Sequence, residues 1–166
     1  LGLSKKYRNT VLFYAASVGL HESQSRFWEN MIARNDSFWN GYFPQFARYV
    51  GSHFTAESFY YAVNQVQPSF IRVNADEVTY GLHIILRYEI ERGLIDGALS
   101  VADARDVWNR KMQQYFGLIP STDNEGILQD VHWAGGAFGY FPTYIIGSIY
   151  ASQIYNHLAK TLPDFN

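Results

Sequence analysis

Helix signals follow one another along almost the whole of this 166-residue sequence, and they constrain its fold more than any other feature. Apolar residues recur at the spacing of one helix face early in the chain, which predicts a long helix over residues 10–34: Phe13, Ala16, Leu20, Phe27 and Met31. A shorter helix is expected after Asp36 or Ser37, disturbed near Pro44. Thr55 can cap a third helix.

Capping residues and glycines mark two more helices. Asn74 with Glu77 resembles a capping box, and it predicts a long helix that ends at Gly93. Ser100 with Asp103 predicts the start of the next helix.

The last helix is expected over residues 141–158, with Pro142 in its first turn, where proline is tolerated. The short stretch 68–73 is compatible with a β-strand, and residues 126–133 are ambiguous. We find no repeat, no low-complexity tract and no linker-like change of composition. The sequence therefore predicts an all-α fold in which residues 1–166 form a single helical region.

Composition narrows the possible functions. The formal net charge is -2, which gives no bulk electrostatic case for binding nucleic acid or an acidic membrane surface. The absence of cysteine excludes disulfides, thiol catalysis and cysteine-type zinc sites, and it fits a cytoplasmic protein. The uncharged stretch 135–155 contains Pro142, Ser148 and Gln153, so we interpret it as a buried amphipathic helix rather than a membrane span.

A polar belt interrupts the first predicted helix at residues 21–26. Its polar side chains are either a solvated face with an i,i+4 pair between Glu22 and Arg26, or the wall of a site in which Glu22 faces a cation. One carboxylate and one histidine, His21, are too few ligands for a tetrahedral metal. No His-Glu-x-x-His occurs in the 166 residues to supply more.

Arg72 lies just before a predicted helix N-terminus, where free amides and the helix dipole favour an anion. A guanidinium adds a bidentate fork that suits a carboxylate, such as the C-terminus of a peptide. An ion pair of Arg72 with Asp76 or Glu77 is the alternative, and the sequence favours neither interpretation.

Residues 126–133 carry the third polar group. If this segment is extended, Asp130 and His132 share a face and the carboxylate can orient the imidazole. If it is helical, Gln129 pairs with His132 or Trp133 instead. A lone histidine is more often structural than catalytic, and His83, within an apolar run, is interpreted as a satisfied core residue.

Tyr140 and Tyr144 are four residues apart and are expected on one helix face. Most of the tyrosines in this region fit a packing stripe, but a phenol that points into a site can stabilise an oxyanion.

Three of these runs together resemble the thermostable (Taq-type) metallocarboxypeptidase family, peptidase family M32. The pattern His-Glu-Ser/Gly-Gln is matched at residues 21–24, Ile/Val-Arg-x-x-Ala-Asp at residues 71–76, and Gly-x-x-Gln-Asp-x-His-Trp at residues 126–133. The similarity extends from about residue 15 to the end of the sequence, and the motifs follow in the family order.

The resemblance implies an all-helical gluzincin fold related to neurolysin and angiotensin-converting enzyme. It also implies removal of C-terminal residues from peptide substrates with Zn²⁺ or Co²⁺, usually by a homodimer. The third metal ligand would be Glu22, after two histidines of a His-Glu-x-x-His motif that this sequence lacks. We therefore expect a C-terminal fragment that is inactive alone.

The resemblance also suggests roles for other residues. Arg72 is a candidate for binding the substrate carboxylate or shaping its pocket, and Gln129 and Asp130 are candidates for supporting that substrate-binding site. By fold analogy, three residues are candidates for stabilising the tetrahedral oxyanion: His132, Tyr140 and Tyr144. The rival interpretations are a non-enzymatic helical interaction module, which keeps the core without the metal, and an endopeptidase of the same broad fold.

Overall fold

The computed structural model describes residues 4–51, 53–163 and 165, and every regular element in them is a helix. The predicted all-α fold is confirmed. The chain divides into two compact units. Among the described residues, no helix combines the length and the apolar character that crossing a membrane requires.

The first unit consists of Leu1–Ala56 and Thr143–Asn166. Its helices are α1 (Val18–Arg26), α2 (Asp36–Val50) and all but the first residue of α6 (Pro142–Thr161). The segment Phe27–Ile32 continues α1 as a π-helix.

The first helix begins at Val18, so the predicted start at residue 10 is wrong. Ser17 is extended, with φ -158° and ψ 161°, and its Oγ accepts a hydrogen bond from the N–H of Leu20 at 3.0 Å. This cap starts the helix, because it satisfies an amide that has no partner within the helix. Two short 3₁₀ turns, Lys5–Tyr7 and Val11–Phe13, precede it in the part of the chain that the structure describes.

Of the two predictions based on proline in α2 and α6, the one at Pro44 is wrong and the one at Pro142 is confirmed. The predicted disturbance at Pro44 does not divide α2, which runs through it to Val50. The predicted start of the last helix is confirmed within one residue, because α6 begins at Pro142, where the missing N–H would have had no helical partner.

The second unit, Glu57–Pro142, contains nearly all of α3 (Ala56–Val63) together with α4 (Glu77–Ile95) and α5 (Ala104–Phe116). Its buried core lies between α4 and α5 and is formed by apolar side chains of these two helices: Leu86, Ile90, Trp108, Met112 and Phe116. This core packs α4 against α5, and two buried polar residues of the site, Arg87 and Glu91, also lie on α4.

The predicted cap of α4 is corrected. Asp76, not Asn74, caps the helix, and its Oδ1 accepts hydrogen bonds from the amides of Val78 at 2.9 Å and Thr79 at 2.8 Å. The helix also continues past Gly93 to Ile95.

Ser100 is confirmed as a cap, since its Oγ accepts from the Asp103 amide at 3.2 Å, but it caps the 3₁₀ turn Val101–Asp103, and α5 itself begins at Ala104. The stretch 68–73 forms no strand, and its last two residues belong to a 3₁₀ turn, Arg72–Asn74. After α5 the chain passes through successive turns until Pro142, and these turns carry the third motif.

Candidate active site

Asp130 is held between two arginines in the second unit. Its Oδ1 accepts hydrogen bonds from Arg72 Nη2 at 2.5 Å and Arg72 Nε at 3.1 Å. Its Oδ2 lies 2.7 Å from Arg87 Nε and 2.6 Å from Arg87 Nη2. Arg72 is 6% exposed and Arg87 is fully buried. The partner of Arg72 is thus Asp130, 58 residues away, and Asp76 acts as a helix cap.

Gln129 joins three segments of the same unit. Its Oε1 accepts from the backbone N–H of Arg72 at 2.9 Å and from Arg87 Nη2 at 2.8 Å. Its Nε2 donates to the carbonyl oxygens of Phe70 at 2.9 Å and Glu125 at 2.9 Å. The side-chain amide therefore ties the turn at Arg72 and the loop before Gln129 to α4.

The segment 126–133 is neither extended nor helical, so neither geometry expected from the sequence is formed. Gln129 is used for the bonds above rather than for pairing with His132 or Trp133. Asp130 Oδ1 lies 3.8 Å from His132 Nδ1, which is longer than a hydrogen bond.

Asp130 favours the charged form of both arginines in this cluster. Burial lowers the pKa of Arg87 to about 10, although the charge of Asp130 opposes this. Burial alone would lower the pKa of Arg72, but the hydrogen bond and charge of Asp130 outweigh it, and the pKa is raised. Burial would raise the pKa of Asp130, but the bond from Arg72 and the charge of Arg87 hold it below its usual value. Two cations and one anion therefore share this site at neutral pH.

His132 lies against two aromatic rings of the same unit. Its ring centroid is 5.4 Å from that of Tyr140 and 4.3 Å from that of Phe141. Burial lowers the pKa of His132, the charge of Asp130 works against this, and the charges of Arg72 and Arg87 add to it. The imidazole is therefore neutral at pH 7, and a neutral imidazole still carries one N–H that can donate to an oxyanion.

Glu91 is a buried carboxylate that the sequence analysis missed. It is 3% exposed, and it accepts hydrogen bonds from Trp133 Nε1 at 2.7 Å and from the Gly139 amide at 3.1 Å. Arg87 was missed as well. The available signal was the spacing of His83, Arg87 and Glu91, three ionisable residues four apart on one face of α4.

His83 lies in the core, as predicted, with its ring stacked 4.3 Å from that of Phe116. The prediction that it is satisfied is wrong, because neither ring nitrogen has a hydrogen-bond partner among the residues that the structure describes. Burial, followed by the charge of Arg87, lowers the pKa of His83 to about 4.

Glu22 belongs to the first unit, where α1 packs closely against α6. A Cβ at Gly147 would lie 2.7 Å from Glu22 Cγ, so only glycine fits beside this carboxylate. Arg26 donates to Glu29 Oε2 at 3.4 Å and to Ser148 Oγ at 3.3 Å, in place of the i,i+4 pair with Glu22 that the sequence allowed.

The described residues contain no group of three or more metal-ligating side chains. Glu22 can supply one oxygen ligand, and that is not a complete metal site. Within these residues, the chain therefore does not fit a metal ion by itself.

Tyr140 and Tyr144 do not share a helix face, so that prediction is wrong. The chain turns at Gly139, where φ is 74°, and α6 begins only at Pro142. Tyr140 therefore precedes the helix and belongs to the second unit, whereas Tyr144 lies in α6 and belongs to the first. Of the residues singled out from the sequence, those that come together in the second unit are Arg72, Gln129, Asp130, His132 and Tyr140.

The chain is similar to known proteins along its whole length. The family described as Carboxypeptidase Taq (M32) metallopeptidase matches residues 1–166. Carboxypeptidase 1 of Bacillus subtilis is 50% identical over 160 residues, which are 95% of this chain and 32% of the relative. Thermostable carboxypeptidase 1 of Thermus thermophilus is 47% identical over 156 residues, 93% of this chain and 31% of the relative.

Solved structures agree with these matches. Metallocarboxypeptidase 1 of Trypanosoma cruzi superposes with a TM-score of 0.90 at 41% identity, covering 98% of this chain and 33% of that one. The M32 carboxypeptidase of Deinococcus radiodurans gives a TM-score of 0.92 at 40% identity, covering 98% and 34%. The chain spans about a third of the length of these relatives. It belongs to the carboxypeptidase Taq (M32) metallopeptidase family.

Proposed function

We propose that the full-length protein containing this chain is a metallocarboxypeptidase that releases C-terminal amino acids from peptides. The observation that carries this proposal is the joining of two family motifs in one buried cluster, in which Asp130 binds Arg72 across 58 residues of sequence. A bound Zn²⁺ or Co²⁺ would activate water for attack on the peptide bond. Glu22 would be one ligand of that ion, and the remaining ligands would come from outside the 166 residues.

The cationic excess of the Arg72–Asp130–Arg87 cluster supports a role in binding the carboxylate at the end of a peptide. Arg72 is 6% exposed, and its guanidinium nitrogens bond to Asp130 and to Tyr80 Oη, the latter at 3.3 Å. These contacts favour the second of its two predicted roles, in which Arg72 and Asp130 shape the pocket and set its potential. Gln129 fixes the backbone of the turn at Arg72.

For the tetrahedral oxyanion, His132 is the preferred donor, because burial lowers the pKa of its imidazole and its ring lies 5.4 Å from that of Tyr140. Tyr140 and Tyr144 remain the candidate phenol donors of the same role. A homodimer in the cytoplasm, acting on peptides, completes the proposal.

The test uses the full-length protein and peptide pairs that differ only in a free or an amidated C-terminus. Arg72→Ala is expected to reduce the preference for the free carboxylate, because the pocket loses one of its two cations. Arg105→Ala is the matched control, since it breaks an exposed arginine–aspartate pair with Asp123 in the same unit. An unchanged preference in Arg72→Ala contradicts the carboxylate role, and equal cleavage of amidated peptides by the wild type favours an endopeptidase.

A further inference from the structure

Helix α4 directs two buried charges of opposite sign at the loop that carries His132. Arg87 and Glu91 are one helical turn apart and are 0% and 3% exposed. Arg87 binds the start of the loop, at Gln129 and Asp130. Glu91 binds its far part, at Trp133 and Gly139.

We propose that Arg87 and Glu91 are positioning residues that hold the segment 129–139 at both ends and thereby fix His132 and the neighbouring Tyr140 for oxyanion stabilisation. The inference rests on the function proposed above for His132. In this inference, α4 both contributes to the core and orients the loop that carries His132.

The loop needs such support because its own backbone is irregular. It consists of turns, and two of its residues, Gly136 and Gly139, have positive φ values of 75° and 74°. Positive φ is a backbone conformation that glycine adopts without steric cost, so the glycines permit the path of the loop without enforcing it. The carboxylate of Glu91 bridges the Trp133 indole and the Gly139 amide, which closes the loop between them.

His132 lies between the two anchors, and its orientation depends on its neighbours. Asp130 Oδ1 is 3.8 Å from Nδ1, too far for a hydrogen bond that would fix the ring directly. The ring packs on Tyr140 and Phe141 instead, and both residues directly follow the Gly139 amide that Glu91 holds. A displaced Gly139 would therefore move the rings against which the imidazole rests.

The test is Glu91→Gln in the full-length protein. A carboxylate accepts from both N–H donors, whereas the amide has one acceptor oxygen, and its NH₂ must face the other donor. We expect kcat to fall about tenfold or more, because a small displacement of a catalytic group slows the chemical step strongly. KM should change less than about twofold, because Glu91 does not contact the carboxylate-binding arginines.

Glu89→Gln is the matched control on the same helix. Glu89 Oε2 accepts from Lys111 Nζ and from Tyr115 Oη, both at 2.6 Å, so this variant also loses part of a two-donor carboxylate site. It leaves the loop untouched. We expect wild-type kcat and KM from Glu89→Gln, with a smaller loss of thermal stability than in Glu91→Gln, because the Glu89 side chain is partly exposed.

A second substitution provides a rescue. Trp133→Phe removes the indole donor, so in the double variant the one amide oxygen of the substituted side chain is free to accept from Gly139. We expect Trp133→Phe alone to lower kcat several-fold, and the double variant to lose less than the product of the two single effects. If Glu91→Gln does not fold, the kcat of Trp133→Phe decides, and a wild-type value contradicts the inference.

The experiments distinguish a failure of the positioning role of Arg87 and Glu91 from a failure of the oxyanion role of His132. A folded Glu91→Gln with wild-type kcat overturns the positioning role, while a strong loss of kcat in His132→Ala leaves the proposed function intact. Wild-type kcat in His132→Ala removes the oxyanion role of His132, and the positioning inference falls with it. Multiplicative losses in the double variant also contradict the inference, because they would mean that the two bonds act independently.

Discussion

At the scale of single residues, Asp130 is the carboxylate on which both buried guanidiniums of the cluster converge, and it balances one of their two positive charges. Separating the members of a buried ion cluster is costly, since each charge has already lost its hydration. Gln129 adds hydrogen bonds to both arginines but no charge. The identity of residue 130 should therefore determine whether this part of the chain stays folded.

Asp130→Asn is expected to lower the free energy of unfolding by about 3–5 kcal/mol, because it removes the countercharge that the buried Arg72 and Arg87 share. Asp123→Asn removes the carboxylate of an exposed pair with Arg105 and should change the denaturation midpoint little. Urea unfolding of both variants beside the wild type is the measurement. Equal midpoints for the two variants would contradict the cluster's structural importance.

His83 predicts a pH dependence of stability. Its folded pKa of about 4 lies below the unfolded value of 6.5, so between these values the unfolded chain binds more protons than the folded chain. Stability therefore rises with pH across this window and is lost as pH falls from about 6.5 to about 4, by about 3 kcal/mol in total. His83→Leu should flatten the curve of unfolding free energy against pH, and an unchanged slope would refute the assignment to His83.

At the scale of helices, local signals predicted boundaries well only where the capping bond was itself local. Ser100 with Asp103 and Pro142 at the start of α6 are such cases. The start of α1 was missed because apolar spacing before residue 17 looked helical, whereas Ser17 caps the helix there. The roles of Arg87 and Glu91 could not be predicted, because their partners lie more than 40 residues away along the chain.

An experiment can decide whether Asp76, the cap in the structure, or Asn74, the cap predicted from the sequence, stabilises the start of α4. Asp76→Ala should cost about 2 kcal/mol, because its carboxylate accepts from two helix amides and also from Thr79 Oγ1 and the Gln67 amide. Asn74→Ala, at the position first predicted as the cap, is exposed and should cost much less. Thermal denaturation of the two variants distinguishes them, and the reverse order would restore Asn74 as the cap.

The packing of α1 against α6 is testable at Gly147. An alanine Cβ there would clash with Glu22 at 2.7 Å, so Gly147→Ala should destabilise by about 1–3 kcal/mol despite the better helix propensity of alanine. Gly41→Ala in α2, where a Cβ meets nothing within 4 Å, should stabilise by up to about 1 kcal/mol. Opposite signs of the change in unfolding free energy are the expected result.

At the scale of the whole molecule, the described residues form a buried core within a chain that matches only part of each relative. It spans about a third of the length of its relatives, and its described residues hold no group of three potential metal ligands. We therefore expect that the chain can fold without being catalytically active. The helices and the Asp130 cluster depend on contacts inside the chain, whereas under the proposed function metal binding would need ligands in addition to Glu22.

The purified 166-residue chain is accordingly expected to release no C-terminal amino acid from peptides, with or without added Zn²⁺ or Co²⁺. One carboxylate, Glu22, cannot by itself hold a divalent ion in competition with water. The full-length protein should bind the metal and lose affinity for it in Glu22→Gln, measured by equilibrium dialysis as well as by activity. Metal-dependent release by the isolated chain would mean that its own residues complete a site, and the role given to Glu22 as one ligand among distant others would then be wrong.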